Sequence, residues 1–444
     1  MNPCASALLT DHYQLTMLQA YHREGLADTA SFELFVRKLP PERNFLVAAG
    51  LEQVLDFLEG FQFTAEECAY LAGVADFTPE FIDYLAGLRF TGTVEALPEG
   101  TVFFQNEPIV RVTAPLPEAQ VIETRLINLI QLQTLIASKA ARSVLVAPDR
   151  WLVDFGLRRA HGAEAGLLAA RAAYLAGYGG SSNVLAGKLF GIPCFGTMAH
   201  SYIMAHDDEA DAFRRFAEAL PSNVVLLLDT YDTLAAARKV VDLAPSLAAV
   251  GIPIRSVRLD SGDLGALAKA VRAILDQGGL SGCRIFASGD LDEHAIAALL
   301  AAGAPIDGFG VGTRLTTSAD APSLNCAYKL QEYAGKPRRK RSEAKATWPG
   351  CKQVYRHYDA DGRFSHDLIA GAWESASGEP LLRPVMRHGR RLEPPEPLES
   401  LRRRARDQLA RLPAPLRAID RPAPYPVTVS DGLKDLAARL DAQG

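Results

Sequence analysis

The sequence predicts an α/β fold in which a barrel of parallel strands lies between an α+β N-terminal domain and a C-terminal extension. Three observations carry this. First, from about residue 150 to 315 short apolar runs alternate with Ala/Leu-rich stretches of helical spacing, in units of roughly 30 residues, the rhythm of strands joined by crossover helices. Second, the runs are continuously apolar, as strands buried on both faces are. Third, each run ends on polar residues: Asp154, Thr197, Asp229, Arg258 with Asp260, Ser288 with Asp290, and Thr313. In a closed barrel such ends meet on one rim. An open doubly wound sheet binds mainly at its switch point, so polar groups on consecutive strand ends favour the barrel.

The elements follow in order. Residues 1–125 mix a helix (HYQLTMLQAYHREG), strands (TASFELFVRKLP and FTGTVEALPEGTVFFQNEPIVRVTA) and a helical VLDFLEGF, which reads as an α+β domain. A long helix, PEAQVIETRLINLIQLQTLIASKAARSV, leads into a catalytic domain assigned to 126–325. Its strand runs are WLVDFG (151–156), IPCFGTM (192–198), VVLLLDT (224–230), SVRLDSG (256–262), RIFASGD (284–290) and DGFGVGT (307–313). Residues 326–444 begin with a basic loop over 336–352, continue into strand-like VYRHYD and a DG turn, and end in an Arg/Pro-rich tail with helices. This extension is expected to pack on the N-terminal domain.

Composition narrows the function. With a net charge of −5 the chain lacks the basic face that coating nucleic acid requires. Neither a basic leader with an apolar core nor a membrane-length apolar stretch is present in the sequence, so neither secretion nor a membrane partner is expected. The six cysteines are scattered without a CxxC pair, which fits a reducing cytoplasm better than a disulfide or metal framework. His200 and His206 are spaced wrongly for one helix face, so a histidine metal site is not expected.

Several strand ends carry residues suited to an anionic, ring-bearing substrate. Ser288-Gly289-Asp290 and Gly310-Val311-Gly312-Thr313 put glycines where backbone N–H groups can approach a phosphate, although glycines also serve tight βα turns. Arg258 and Asp260 would be costly to bury in a strand without partners. Asp229, Asp260 and Asp263 offer the oxygen ligands that Mg²⁺ prefers, while Asp263 equally suits a helix cap. In Asp154-Phe155-Gly156-Leu157-Arg158-Arg159, an arginine can grip phosphate or carboxylate with two parallel bonds, and Phe155 can stack on a flat ring or simply fill core. His200, just past Thr197, and Tyr13, in a Thr-Asp-His-Tyr-Gln run, each admit an ordinary structural reading as well.

Taken together, LLTDHYQLTM, DFGLRRAHG, SSNVLAGKLFGIPCFGTMAHS, LLLDTYDT, VRLDSGDL, FASGDLDE, GFGVGTRL and SEAKATWPGCKQVYR resemble, in this order, the nicotinate phosphoribosyltransferase family, over nearly the whole chain. The resemblance implies an irregular, type II phosphoribosyltransferase barrel and a homodimer with shared active sites. It implies synthesis of nicotinate mononucleotide and pyrophosphate from nicotinate and phosphoribosyl pyrophosphate in NAD salvage, with Mg²⁺ and with ATP hydrolysis coupled through a phosphohistidine. His200 matches that histidine. Tyr13 from one subunit and Phe155 from the other would sandwich the pyridine ring. Arg258 would hold the carboxylate side, Arg158 the phosphates or the ring, and Asp260 the ribose. Gly289, Asp290, Gly312 and Thr313 would surround the 5′-phosphate, Thr197 and Ser288 are expected to bind substrate, and Ser342 and Lys345 would reach across the dimer to phosphate groups.

Related nicotinamide enzymes carry a carboxylate in the stretch matching Ser181-Ser182-Asn183. Its absence from that stretch favours an anionic substrate, because like charge would repel one. A nicotinamide enzyme is the alternative within the class, and a non-catalytic phosphoribosyl-binding regulator the alternative outside it. A quinolinate enzyme would need more basic groups for two carboxylates. The chain departs from the family pattern at His12, at Ala163-Glu164 and at Arg341, none of which holds a central role.

Overall fold

The computed structural model describes residues 6–74, 76–342 and 345–443. The chain forms two compact units, one built from residues up to Ser138 and from Ala321 onward, the other from Lys139–Asp320. The first division therefore falls inside the long helix Glu123–Val146, where no change of texture marks it.

In the first unit, strand Thr29–Val36 lies antiparallel between Pro108–Pro115 and Cys326–Tyr333, so the segment beyond the barrel completes the N-terminal sheet. A second sheet holds the hairpin of Lys352–Tyr358 and Phe364–Gly371, closed by a turn at Asp361-Gly362 and flanked by the parallel strand Val427–Val429. Beneath this hairpin Arg356 is fully buried, with Nε 3.0 Å from Asp367 Oδ1 and Nη2 2.6 Å from Oδ2. Tyr425 also donates to Asp367 Oδ1, at 3.0 Å.

The second unit is a six-stranded parallel sheet in the order Gly180–Ser181, Trp151–Asp154, Gly308–Val311, Arg284–Ser288, Ile254–Leu259, Val224–Leu227. The hydrogen-bonded order is open between its two edge strands, which makes the barrel irregular. Aspartates cap the crossover helices. Asp208, Asp232, Asp263 and Asp292 each accept a hydrogen bond from the backbone N–H three residues on, satisfying a donor that the first helical turn leaves unpaired. Asp263 is thus a cap, one of the two roles its sequence position allowed.

The run 192–198 departs from expectation. Its only sheet contact among the described residues is a bridge from Cys194 to Ser181, and Gly180–Ser181 takes the edge position instead. Pro193 has no N–H to donate to a ladder. Gly180 lies so close to the segment that a Cβ would sit 2.3 Å from the Pro193 carbonyl oxygen and 2.6 Å from the Phe195 ring. Beyond Phe195 the chain crosses the strand ends as a loop before helix His200–Met204. Among the described residues, no helix is long and apolar enough to cross a membrane.

Candidate active site

At the C-terminal ends of the parallel strands lies a cavity of about 370 Å³ lined by Phe155, Arg158, Arg159, Arg258, Asp260, Ser288, Gly289, Asp290, Gly310, Gly312 and Thr313. Every lining residue comes from the end of a strand or the turn just after it, because parallel strands all finish on the same side of the sheet.

Arg258 and Asp260 form the centre. Strand Ile254–Leu259 carries Arg258 into the cavity, where its Nε donates to Ser288 Oγ at 2.9 Å and its Nη1 to Thr197 Oγ1 at 2.8 Å and the Met198 carbonyl at 3.2 Å. Nη2 reaches Asp260 Oδ1 at 2.9 Å, and the guanidinium carbon stands 5.8 Å from the Phe155 ring centre. Thr197 therefore braces Arg258 from the crossing loop. Asp260 Oδ1 also accepts from Ser288 Oγ, and its backbone N–H donates to Asp229 Oδ2 at 3.1 Å. Burial alone would raise the Asp260 pKa, but the bonds from Ser288 and Arg258 and the nearby His200 hold it below the ordinary aspartate value.

His200 is not among the cavity-lining residues but stands beside Asp260, with Nε2 3.7 Å from Asp260 Oδ2 and Nδ1 3.1 Å from Thr230 Oγ1. Its side chain is 39% exposed, open enough for reaction with a solvent-borne group. Asp229 Oδ2 accepts from the Asp260 N–H and from Ser261 Oγ, whereas Asp229 Oδ1 is buried without a hydrogen-bond partner. An orphaned carboxylate oxygen beside an ionised Asp260 suits a hard cation.

Two glycines let the cavity exist. Gly289 has φ +104°, and a Cβ there would lie 2.1 Å from the Asp260 carbonyl oxygen. At Gly310 a Cβ would enter the Phe155 ring at 2.5 Å, so the ring rests directly on the backbone. Asp290, with φ +45°, is held by Arg314 through two bonds of 3.1 Å.

Arg159 and Gly310 stood in the sequence inside candidate motifs without a role of their own, and Thr230 was not singled out at all. Arg159 was the second half of an Arg-Arg pair and Gly310 the first glycine of GVGT, but nothing in the sequence points to the contact between Thr230 and His200. Tyr13, Ser342 and Lys345 belong to the other unit. There Tyr13 is 49% exposed on helix His12–Glu24, in a groove with Met17, Tyr21 and Tyr333, and Ser342 and Lys345 are exposed.

Asp154 brings a carboxylate to Ser181 that the sequence order hid. It is buried, accepts from Ser181 Oγ at 2.7 Å and from the Gly156 N–H at 2.8 Å, and does not line the cavity. Burial pushes its pKa up against those two bonds. Asn183 is occupied as the cap of helix Val184–Phe190.

Three family models match along the chain: the nicotinate phosphoribosyltransferase N-terminal domain over 8–131, the nicotinate phosphoribosyltransferase family over 151–338 and the C-terminal domain over 373–437. Nicotinate phosphoribosyltransferase pncB2 of Mycobacterium tuberculosis is 51% identical over 98% of this chain and 94% of its own. The Bacillus subtilis nicotinate phosphoribosyltransferase is 42% identical over 85% and 78%. The crystal structure of human nicotinic acid phosphoribosyltransferase superposes with a TM-score of 0.86 at 32% identity, covering 97% of this chain and 99% of that one. With the cavity at its strand ends and these matches along its length, the chain belongs to the nicotinate phosphoribosyltransferase family.

Proposed function

We propose that this enzyme transfers the phosphoribosyl group of phosphoribosyl pyrophosphate to nicotinate, giving nicotinate mononucleotide and pyrophosphate for NAD salvage in the cytoplasm. The observation that carries the reading is Arg258. Braced by Thr197, Met198, Ser288 and Asp260, it offers a fixed cationic plane next to the Phe155 ring. A planar aromatic carboxylate matches that pair, its ring against Phe155 and its charge toward the guanidinium. For nicotinamide the amide would need a carboxylate partner, and the one near Ser181 is Asp154, which is buried and already bonded.

Displacement of pyrophosphate builds positive charge on the ribose ring while the leaving group gathers negative charge. Ionised Asp260 faces the first, and Arg158 and Arg159 the second. The turns at Gly289-Asp290 and Gly312-Thr313 receive the 5′-phosphate, with Gly289 admitting close backbone approach. Holding ring nitrogen and anomeric carbon together removes much of the entropic barrier. Mg²⁺, held by Asp229 and Asp260, would screen the pyrophosphate charge.

ATP is the third reactant in this reading. His200 takes the γ-phosphoryl group and releases ADP, water later discharges it as inorganic phosphate, and in between the added negative charge draws basic groups toward the cavity. The enzyme works as a homodimer in which Tyr13 of one subunit covers the ring on Phe155 of the other, with Ser342 and Lys345 reaching phosphate. A non-catalytic regulator would have no use for a reactive histidine beside Asp260.

One experiment tests the set: mononucleotide and pyrophosphate formation from nicotinate or nicotinamide, with and without ATP, by the wild type and His200→Ala. Product from nicotinate, raised by ATP only in the wild type, is expected. A preference for nicotinamide overturns the specificity, and full ATP stimulation of His200→Ala overturns its role. Binding of phosphoribosyl pyrophosphate without turnover of either base overturns catalysis.

A further inference from the structure

We infer that Lys139 is a positioning residue whose buried ammonium fixes, from behind, the two glycine turns that receive phosphate. The inference rests on the phosphate assignment proposed for those turns. Each turn leads on to an acid a few residues later, and both acids meet the same lysine. After Gly289-Asp290 the chain enters helix Glu293–Ala301, whose first residue, Glu293, is fully buried. After Gly312 it passes through helix Thr313–Thr316 to Asp320. Lys139 Nζ lies 3.0 Å from Glu293 Oε1, 2.9 Å from Oε2 and 2.9 Å from Asp320 Oδ1, with 4% of its side chain exposed. Arg142, one helical turn further on, donates from Nε to Glu293 Oε1 at 2.7 Å.

Two buried cations thus face two acids. Burial would raise the Glu293 pKa, yet Lys139 and Arg142 hold it below the ordinary glutamate value, so the cluster is ionic. Such a cluster gives little net stability over an apolar one, but it accepts few geometries. The turns need that restriction, because phosphate contacts depend on sub-ångström placement. On the solvent side the turns are also joined, by Arg314 and Asp290, but that pair is 46% and 69% exposed and gives a weak tie. The buried tie sets the spacing of the turns.

The test uses the full-length enzyme and three variants: Lys139→Met, Asp320→Asn and, as a direct phosphate-contact control, Thr313→Val. Melting curves, kcat and the KM of each substrate are measured. Lys139→Met and Asp320→Asn are expected to raise the KM for phosphoribosyl pyrophosphate about tenfold, the cost of one misplaced charge-assisted bond, while kcat and the nicotinate KM stay within about twofold. A purely structural role would instead spread the loss over both substrates, and that outcome overturns the proposal. If Lys139→Met does not melt cooperatively, Asp320→Asn, which keeps the Lys139–Glu293 pair, decides on the same criterion. A raised KM in Thr313→Val alone overturns the clamp and leaves the phosphate assignment standing. No change in any of the three overturns the phosphate assignment and the clamp with it.

Discussion

At Asp260, burial and hydrogen bonding pull the proton equilibrium in opposite directions, and bonding wins. A carboxylate whose pKa is depressed on folding adds stability above its unfolded value and loses it as pH falls through the folded one. Asp260 therefore stays ionised through the neutral range, and any acid limb it causes in the rate profile lies below the ordinary aspartate value. Asp260→Asn keeps the shape but removes the charge proposed to face the ribose. We expect kcat/KM to fall by about a hundredfold or more, as when one electrostatic contact to a transition state is lost. A cooperative melt near that of the wild type should accompany the loss, and unchanged steady-state kinetics would refute the role. Arg258 and Asp260 were visible in the sequence because two charges in an apolar strand demand partners. Thr230 was not, since its significance depends on which side chain lies across from it, and Gly310 was read for its backbone N–H and not for the Phe155 ring that rests on it.

The same opposition appears just before strand Pro108–Pro115, where Glu107 faces the hairpin of Lys352–Tyr358 and Phe364–Gly371, but with the other outcome. Glu107 is fully buried beside Asp367, and burial first, then Asp367, push its carboxyl well above the ordinary glutamate range despite Arg356. A raised acid costs stability as pH climbs above its unfolded value, and the loss is complete once the folded value is passed. Glu107→Gln should therefore melt close to the wild type in mild acid and increasingly above it as pH rises. Melting temperatures across that range check this, and a constant difference would refute it. At the scale of elements, the sequence shows the hairpin through its DG turn and the barrel strands through continuous apolar runs. It conceals Gly180–Ser181, because a two-residue strand without an apolar side chain has no periodicity to read. The apolar 192–198 run looked more like a strand, yet a proline and a close-packed neighbour leave it one bridge.

At the scale of the whole molecule, half of the proposed ring site, Tyr13, is carried by a different unit from Phe155 and is assigned to the partner subunit. Subunit mixing addresses that assignment directly. Tyr13→Ala and Arg258→Ala homodimers should each be nearly inactive. Heterodimers of the two should regain about a quarter to a half of wild-type activity, because one of two shared sites is restored whole. Verified heterodimers without rescue would remove Tyr13 from the partner's site. The sequence showed the alternation that builds the parallel sheet, but not that Cys326–Tyr333 would return to pair with Thr29–Val36, a contact between segments almost three hundred residues apart. Local pattern marks a strand and leaves its distant partner open.

The turn at Gly289 has a consequence for how such a chain can change over time. Any single-base replacement of a glycine codon that alters the amino acid introduces a Cβ, and here that atom would meet the Asp260 carbonyl oxygen at 2.1 Å on a backbone of φ +104°. Drift at this codon has no intermediate that preserves the turn, whereas Arg158 and Arg159, exposed on a short turn beside the cavity, can be exchanged without disturbing the strands beneath. Selection would therefore judge a change at either arginine by catalysis alone, and a change at the glycine by the turn as well.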